Sequence, residues 1–246
     1  MTTTEAGRPT RWRCGVAEAV GTGFLVAVVV GSGIAATSLT SDGALRLLIN
    51  SLVTALGLAV LILTFAPAGG AHFNPLVTAA DWLLNRRAPT AYGGGQALAV
   101  IAAQVTGAIG GAALADAMFG QPALSPSHTA RTGLPLLLSE VVATAGLLLV
   151  ITTLARTGRT QHAPWAVGAW IGAAYWFTAS TSFANPAVTI GRTLTPTYAG
   201  IAPSSAPAFI AAQVIGAALG TLLALTIHPA PSTTPAGAET PAQLTG

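Results

Sequence analysis

The stretch "GGAHFNPLVTAADWLL" at residues 69–84 places polar residues and an Asn-Pro pair inside a chain that is otherwise strongly apolar. Asn is a preferred N-cap residue and Pro a preferred first helical residue, so Asn74-Pro75 predicts the start of a helix. About eleven residues follow before the Arg86-Arg87 pair, which is enough for a helix through half a membrane but too few for a full crossing. The sequence therefore predicts a re-entrant half-helix here.

Nearly the same interruption returns as "TSFANPAVTIGRTL" at residues 181–194, and it predicts a second half-helix starting at Asn185-Pro186. Two further pairs of stretches match in the same order, which indicates an internal repeat. They are "AEAVGTGFLVAVV" at 17–29 with "SEVVATAGLLLVI" at 139–151, and "AAQVTGAIGGAALA" at 102–115 with "AAQVIGAALGTLLA" at 211–224.

The composition identifies an integral membrane protein, because 52% of the residues are hydrophobic and only 7% are charged. Only helices and closed barrels cross a bilayer, and the apolar runs lack the alternation of barrel strands. The predicted fold class is therefore all-α, with six membrane-spanning segments of roughly 20 residues. They lie at about 15–37, 44–66, 95–119, 133–155, 163–181 and 205–228.

The arginines predict the orientation, because cytoplasmic flanks retain positive charge. With both termini inside, seven of the ten basic residues are cytoplasmic, and only Arg46, Arg131 and Arg192 are outside. Each half of the repeat has three spans, an odd number, so the second half is inverted relative to the first. Two inverted half-helices would then meet with their positive N-terminal ends near the middle of the membrane.

These two helix starts predict a path for solute. Each Asn carbonyl can cap its own helix while the amide NH₂ points into the lumen as a hydrogen-bond donor. Donors and positive helix ends at the centre of a pore favour neutral, oxygen-bearing solutes and oppose cations and proton transfer. Such selectivity needs no acid, base or nucleophile, and the lone Cys14 and four histidines do not form a metal-binding pattern.

The two boxes resemble those of the aquaporin, or major intrinsic protein, family over residues 15–228. The resemblance implies six spans and two half-helices in an inverted repeat, one pore per subunit and a homotetramer. It places two boxes at the pore midplane, Asn74-Pro75-Leu76 and Asn185-Pro186-Ala187.

Two departures from the family pattern bear on the solute. Leu76 replaces an Ala of the first box, and we expect it to shift or narrow the midplane. Val188 stands where most of the family has a filter Arg, and Arg192, one turn farther on, is a candidate substitute. The other filter positions implied by the resemblance are Ala173, Ser182 and either Thr54 or Leu56. A wide, mostly apolar filter of this kind predicts passage of water, glycerol and neutral metalloid hydroxides such as arsenite.

Two carboxylates in apolar spans are functional candidates by default. Glu18 and Glu140 are either a proton relay or acceptors for the backbone amides of the re-entrant loops, and their symmetric placement favours the second role. His72 is either a pH-dependent gate or a neutral residue that lines the pore or braces the loop. Gln104 and Gln213 are expected to help pack the helices.

The predicted protein is thus a passive channel in the plasma membrane, with both termini cytoplasmic. We divide it into a cytoplasmic N-terminus at 1–14, a channel domain at 15–228 and a disordered cytoplasmic tail at 229–246. The halves of the channel domain span about 15–125 and 132–228. We expect contact with lipid and a small neutral solute, and no cofactor, metal or nucleic acid. The alternative is a secondary transporter with alternating access, which would need a coupling site; an enzyme would need a catalytic group that the spans lack.

Overall fold

A computed structural model describes residues 11–88 and 92–229. All regular secondary structure in these residues is helical. The predicted segment 1–14 is described only from residue 11, and the predicted tail falls outside the described residues apart from its first position.

The described part of the chain contains eight α-helices and one short 3₁₀ turn, Thr160–His162. The helices begin and end close to the boundaries that the apolar runs predict. They are α1 (Arg11–Leu39), α2 (Gly43–Gly69), α3 (Pro75–Asn85), α4 (Gly94–Met118), α5 (Leu134–Arg156), α6 (Ala163–Phe177), α7 (Pro186–Arg192) and α8 (Ala206–Ile227).

Five helices, α1, α2, α4, α5 and α8, are long and apolar enough to cross a membrane. The sixth predicted span is shorter than expected, because α6 has 15 residues and ends at Phe177 instead of 181. Its last predicted residues instead form an irregular loop that leads to α7, in which Thr181, Ser182 and Ala184 have positive φ. Small and hydroxylated residues such as these make the loop resemble the end of a span in a hydropathy profile.

The two half-helices start where the Asn-Pro pairs predict. Asn74 and Asn185 have extended backbones and cap α3 and α7 through their side-chain oxygens. Pro75 and Pro186 follow as the first helical residues. The helix α7 is short, with seven residues, and ends at Arg192.

The long helices pack as two matched pairs, α1 with α4 and α5 with α8. The crossing of α1 and α4 depends on Gly107 and Gly111, since a Cβ on Gly111 would collide with the carbonyl oxygen of Gly23. In the second half, Gly220 lies in the same way against the carbonyl of Ala145. Small residues four apart allow the helix backbones to approach closely in a membrane.

The remaining contacts follow the same two-fold pattern. The helix α2 packs on α1 and α6 packs on α5, and α2 and α6 meet each other across the junction of the halves. The half-helices α3 and α7 touch each other and are held between the long helices. This is the inverted repeat of six spans and two half-helices that the sequence predicts, and it surrounds a central cavity.

Candidate functional site

Each box asparagine is bound both to its own helix and to the opposite loop. The Asn74 side-chain oxygen accepts from the backbone N–H of Leu76 at 2.9 Å, and its Nδ2 donates to the carbonyl of Ala184 at 2.8 Å. The Asn185 oxygen accepts from Ala187 N at 3.0 Å, and its Nδ2 donates to the carbonyl of Phe73 at 2.7 Å. Each of the predicted lumen-facing amides therefore uses one of its two N–H donors to bind the opposite re-entrant loop.

The carboxylate of Glu18 lies beneath the first re-entrant loop and is completely buried. It accepts hydrogen bonds from the backbone N–H groups of His72 and Phe73, both at 2.7 Å, and from Gln104 Nε2 at 2.8 Å. Gln104 Nε2 also lies 2.9 Å from Thr78 Oγ1 on α3. Three donors thus converge on one carboxylate, which ties the first re-entrant loop to α1 and α4.

Glu140 repeats this arrangement in the second half. Its two oxygens accept from the backbone N–H groups of Phe183 at 2.9 Å and Ala184 at 3.0 Å, and from Ser180 Oγ and Gln213 Nε2, each at 2.6 Å. Gln213 also reaches Thr189 Oγ1 on α7 at 2.9 Å. The sequence predicts only a packing role for the glutamines, and it leaves Thr78 and Thr189 out although both follow the Asn-Pro boxes at the same distance.

A cavity of about 120 Å³ lies between the two boxes. It is lined by α1, α2, α3, α5, α6 and α7 and by the two re-entrant loops, whereas α4 and α8 contribute no lining residue. Asn74 and Asn185 line it, but Pro75, Leu76, Pro186 and Ala187 do not. The expected narrowing by Leu76 is therefore not seen, because this side chain packs against the surrounding hydrophobic core instead.

The apolar lining is itself two-fold. Leu25 and Leu147 both face the cavity. They are equivalent positions of the repeat, because Leu25 follows Glu18 at the same distance in sequence as Leu147 follows Glu140. Val77 and Val188, each directly after the third residue of its box, are both 5% exposed and both line the cavity. The residue that replaces the family's filter arginine is thus the apolar counterpart of a valine in the first half.

One end of the cavity carries several hydroxyl groups. Thr54 Oγ1 on α2 and the Tyr175 hydroxyl on α6 are 3.3 Å apart, and Ser182 lines the same cavity. We call this the Tyr175 end. Thr54 lies 15 residues before the last residue of α2. At 1.5 Å per residue, this places Thr54 about 22 Å from the point where α2 stops, close to His72 at the opposite end of the cavity.

One open filter alternative is decided and one filter expectation is corrected here. Leu56 is 54% exposed on the outer face of α2, so Thr54, and not Leu56, lines the cavity. Ala173 is likewise on the exposed face of α6, and Tyr175 lines the cavity in its place. Successive helical residues are 100° apart, so an error of two residues moves a side chain to the other face.

Arg192 lies at the Tyr175 end, 2% exposed, and lines the cavity. Its Nε donates to the carbonyl of Ala199, and its guanidinium carbon stacks 3.4 Å from the centre of the Phe183 ring. Ile201 N in turn donates to the carbonyl of Arg192 at 3.1 Å, so the segment after α7 folds back around this side chain. The position one turn beyond Val188 therefore brings a guanidinium to the cavity wall.

The loop between α4 and α5 contributes a second arginine above the same ring. Arg131 has its guanidinium carbon 5.1 Å from the centre of Phe183, and its Nε donates to the carbonyl of Gly200 at 2.9 Å. Burial lowers the pKa of Arg131 from its ordinary value. This arginine does not line the cavity, and its contact with Gly200 ties two loops together next to Arg192.

His72 lines the other end of the cavity. Its Nδ1 lies 3.1 Å from Thr78 Oγ1, which also receives the hydrogen bond from Gln104. The Thr78 hydroxyl therefore joins His72 at the cavity wall to Gln104 on α4.

Tyr92 fixes the far end of the first half-helix. Its hydroxyl donates to Asp81 Oδ2 at 3.0 Å and lies 3.3 Å from the carbonyl of Thr78. Burial, followed by the nearby Asp81 carboxylate, raises the pKa of the Tyr92 phenol, so it remains a donor. The contact joins α3 to the start of α4 and keeps Thr78 in position beside His72.

Across residues 11–88 and 92–229, no group of three His, Cys, Asp or Glu side chains comes close enough to hold a metal ion. The buried carboxylates of Glu18 and Glu140 are both saturated with donors, and the cavity wall between them is apolar. The arrangement can conduct a small molecule past hydrogen-bond donors, but it does not offer a nucleophile paired with a base.

Comparison with known proteins agrees with this geometry. The family model described as Major intrinsic protein matches residues 5–182. The chain is 50% identical over 208 residues to "Aquaglyceroporin AqpS" of Rhizobium meliloti (strain 1021), covering 83% of this chain and 85% of that protein. It is 31% identical over 193 residues to "Aquaporin A" of Dictyostelium discoideum, covering 72% and 66% of the two chains.

The fold matches a solved structure as well. The X-ray structure of the aquaglyceroporin from Plasmodium falciparum superimposes with a TM-score of 0.69 over 89% of this chain and 96% of that one, at 18% identity. The resemblance seen in the two boxes is confirmed: the chain belongs to the major intrinsic protein family of membrane channels.

Proposed function

We propose that this protein is a passive channel for small uncharged solutes, namely water, glycerol and neutral metalloid hydroxides such as arsenite. One observation carries the proposal: a mostly apolar cavity runs between two asparagines whose amides are held at its wall. The similarity to a protein named aquaglyceroporin supports the range of solutes.

The mechanism follows from the donors along the wall. Each asparagine uses one N–H on the opposite loop and keeps a second N–H for the lumen. A solute oxygen that passes between Asn74 and Asn185 accepts from both and is thereby compensated for part of its lost hydration. The same donors and the two positive helix ends oppose cations and interrupt a chain of waters that could conduct protons.

The Tyr175 end sets the width and polarity of the path. With Val188 in place of a guanidinium at the box, the narrow region combines an apolar side chain with the hydroxyls of Thr54, Tyr175 and Ser182. Arg192 supplies the positive charge from one helical turn away. Such a surface matches a polyol or a metalloid hydroxide, which has both apolar and hydroxyl-bearing faces.

The alternative, a secondary transporter, would need a titratable or ion-binding group that is free to change its partners. Glu18 accepts three hydrogen bonds and Glu140 four, all of them from groups that hold the re-entrant loops. A proton relay through either carboxylate would release these loops, so the loop-bracing role is the better account of both. For His72, too, the contact with Thr78 holds the ring beside the loop and favours a pore-lining or loop-bracing role over a gate.

Assembly and location complete the proposal. We propose a homotetramer in the plasma membrane with both termini in the cytoplasm. The support is the excess of arginines on one side of the spans and the many large apolar side chains on the outer surface, which need lipid or another subunit to cover them.

The test is stopped-flow swelling of proteoliposomes that contain the full chain, with water, glycerol, urea and arsenite compared side by side. We expect permeability to water and glycerol well above that of protein-free vesicles, with linear concentration dependence and no effect of a proton gradient. Saturable uptake driven by protons would favour the transporter. Fast water flux with glycerol and arsenite excluded would overturn the solute range.

A further inference from the structure

The side chain of Arg192 is buried in the cavity wall without an anionic partner among the described residues. Its one hydrogen bond there is from Nε to the carbonyl of Ala199. The terminal nitrogens Nη1 and Nη2 have no protein acceptor in these residues, and they are not among the fully enclosed polar atoms. A guanidinium keeps its proton in proteins and presents its nitrogens as a planar fork. Two adjacent donors with a positive charge are therefore open to the cavity.

Ser182 lies in the same wall. Its side chain is 3% exposed and lines the cavity with Arg192, but its Oγ is fully enclosed and has no hydrogen-bond partner. A buried hydroxyl without a partner is costly and is uncommon unless a water or a ligand satisfies it. The Tyr175 hydroxyl, 3.3 Å from Thr54 Oγ1, also faces this space.

The charged groups around Arg192 give the Tyr175 end a net positive charge. Arg131 lies over the same Phe183 ring as Arg192, and both lie at this end of the cavity, Arg131 on a loop and Arg192 at the end of α7. The nearest carboxylate, Glu140, has both oxygens occupied by four donors that brace the second loop. The Tyr175 end therefore carries two guanidinium groups and no free carboxylate among the described residues.

We propose that the Tyr175 end is a binding site for a small planar oxyanion of the carboxylate type. Arg192 binds the two oxygens of the anion through its open nitrogens, since this fork matches a carboxylate in geometry and charge. Arg131 adds attraction without direct contact, and the enclosed Ser182 Oγ becomes a third donor when its side chain rotates toward the anion. The inference rests on the proposed channel function in one respect: the anion occupies the solute path and so reduces the flux.

The anion binds at this end and does not pass through. Apart from Asn74, Asn185 and His72, the wall away from the Tyr175 end is formed by apolar side chains such as Val188, Leu58 and Leu25. A charge that leaves the guanidinium would enter this region with few groups to replace its hydration, which is strongly unfavourable. A neutral polyol does not pay this cost, so anion binding and polyol passage are compatible in one cavity.

The probe is formate, compared with gluconate, which is too large for the cavity, at equal ionic strength and neutral pH on both sides of the membrane. An anion with three non-hydrogen atoms binds no tighter than the order of millimolar. We expect formate at tens of millimolar to lower glycerol flux by about half or more and in a saturable manner, because occupancy reaches one half at its Kd.

Variants assign the effect to the site. Arg192→Gln is expected to abolish formate inhibition, and Ser182→Ala to weaken it severalfold. Arg192→Lys retains the charge but loses the planar fork of nitrogens, so it should also weaken the inhibition by formate. This variant replaces Arg192→Gln in the test if Arg192→Gln does not fold. Arg46→Gln is the matched control, because Arg46 also bonds to loop carbonyls, of Thr40 and Thr37, but does not line the cavity. It should keep the full formate effect.

Thermal stability of the detergent-purified protein gives a readout that does not depend on flux. Formate should raise the unfolding midpoint of the original chain and of Arg46→Gln, but not of Arg192→Gln. Absence of any formate effect on a conducting protein, or an equal effect in Arg192→Gln, overturns the site while the channel stands. Arg192-dependent stabilisation in a protein that conducts no solute supports the site and rejects the channel.

Discussion

Asn74 and Asn185 each donate a hydrogen bond to the loop that carries the other asparagine, at 2.8 Å to the carbonyl of Ala184 and at 2.7 Å to the carbonyl of Phe73. Each asparagine also caps its own half-helix. The two half-helices are therefore positioned by each other as well as by the spans around them. This reciprocal contact fixes the two asparagines at the cavity wall, and the variants below test the groups that support and line the cavity.

The loop-bracing glutamates should matter more for stability than for solute choice. In Glu140→Gln, a carboxylate that accepts four hydrogen bonds becomes an amide with one acceptor oxygen and an NH₂ that faces other donors. We expect a loss of about 1–3 kcal/mol, measured as a lower thermal midpoint in detergent. Glu18→Gln should behave similarly because its contacts are equivalent. Unchanged stability in both variants, with altered proton dependence of transport, would instead support a relay.

The glycines at the helix crossings should tolerate no side chain. Gly111→Ala places a Cβ against the carbonyl of Gly23 and should cost about 1–3 kcal/mol as the helices are forced apart. Gly110→Ala is the matched control, since its Cβ would point into open space on the same helix. Alanine is also the better helix former, so Gly110→Ala should be neutral or slightly stabilising. Equal thermal midpoints for the two variants would contradict the close crossing of α1 and α4.

Tyr175, and not Ala173, should control the passage of larger solutes. Tyr175→Ala removes an aromatic ring from the cavity wall, so the permeability to glycerol and urea should rise relative to water. Ala173→Val changes a side chain on the exposed face of α6 and should leave the solute ratios unaltered. The measurement is the same proteoliposome panel. A change of selectivity in Ala173→Val but not in Tyr175→Ala would mean that α6 is rotated relative to the structure.

The residue after the second box should govern the selectivity between water and glycerol. Val188→Arg introduces a long cationic side chain where a small apolar one lines the cavity. We expect glycerol permeability to fall at least about tenfold relative to water, equivalent to about 1.4 kcal/mol in the barrier. Val188→Leu is a control for bulk without charge and should reduce glycerol less. An unchanged solute profile in Val188→Arg would refute the idea that Val188 widens the path.

The pattern of residues predicted most of the architecture because its physical causes are local. Asn-Pro pairs start helices through their own capping geometry, and α3 and α7 both begin at these pairs. The ends of the spans were predicted to within a few residues wherever a charged residue or a Pro ended the apolar run. The end of α6 was wrong, because Thr178 to Ala184 are apolar or small and only their loop conformation distinguishes them from a helix.

The cavity lining was predicted less well because it depends on helix rotation. Thr54 and Leu56 were both open from the sequence, and two residues of register separate a side chain in the lumen from one in lipid. Tyr175 was missed for the same reason. Leu76 was expected to alter the midplane, whereas packing into the core removes it from the cavity.

The sequence by itself determined that this chain lies in a membrane, that it repeats with inversion and that two helices begin at matched Asn-Pro pairs, because composition, period and capping are properties of short segments. Only the tertiary structure decided which groups meet. The four donors at Glu140, the exchange of hydrogen bonds between the two loops, and the placement of Arg192 beside Ser182 all join residues distant in the chain. Such contacts depend on how the helices are rotated and packed, which segment-level patterns do not contain.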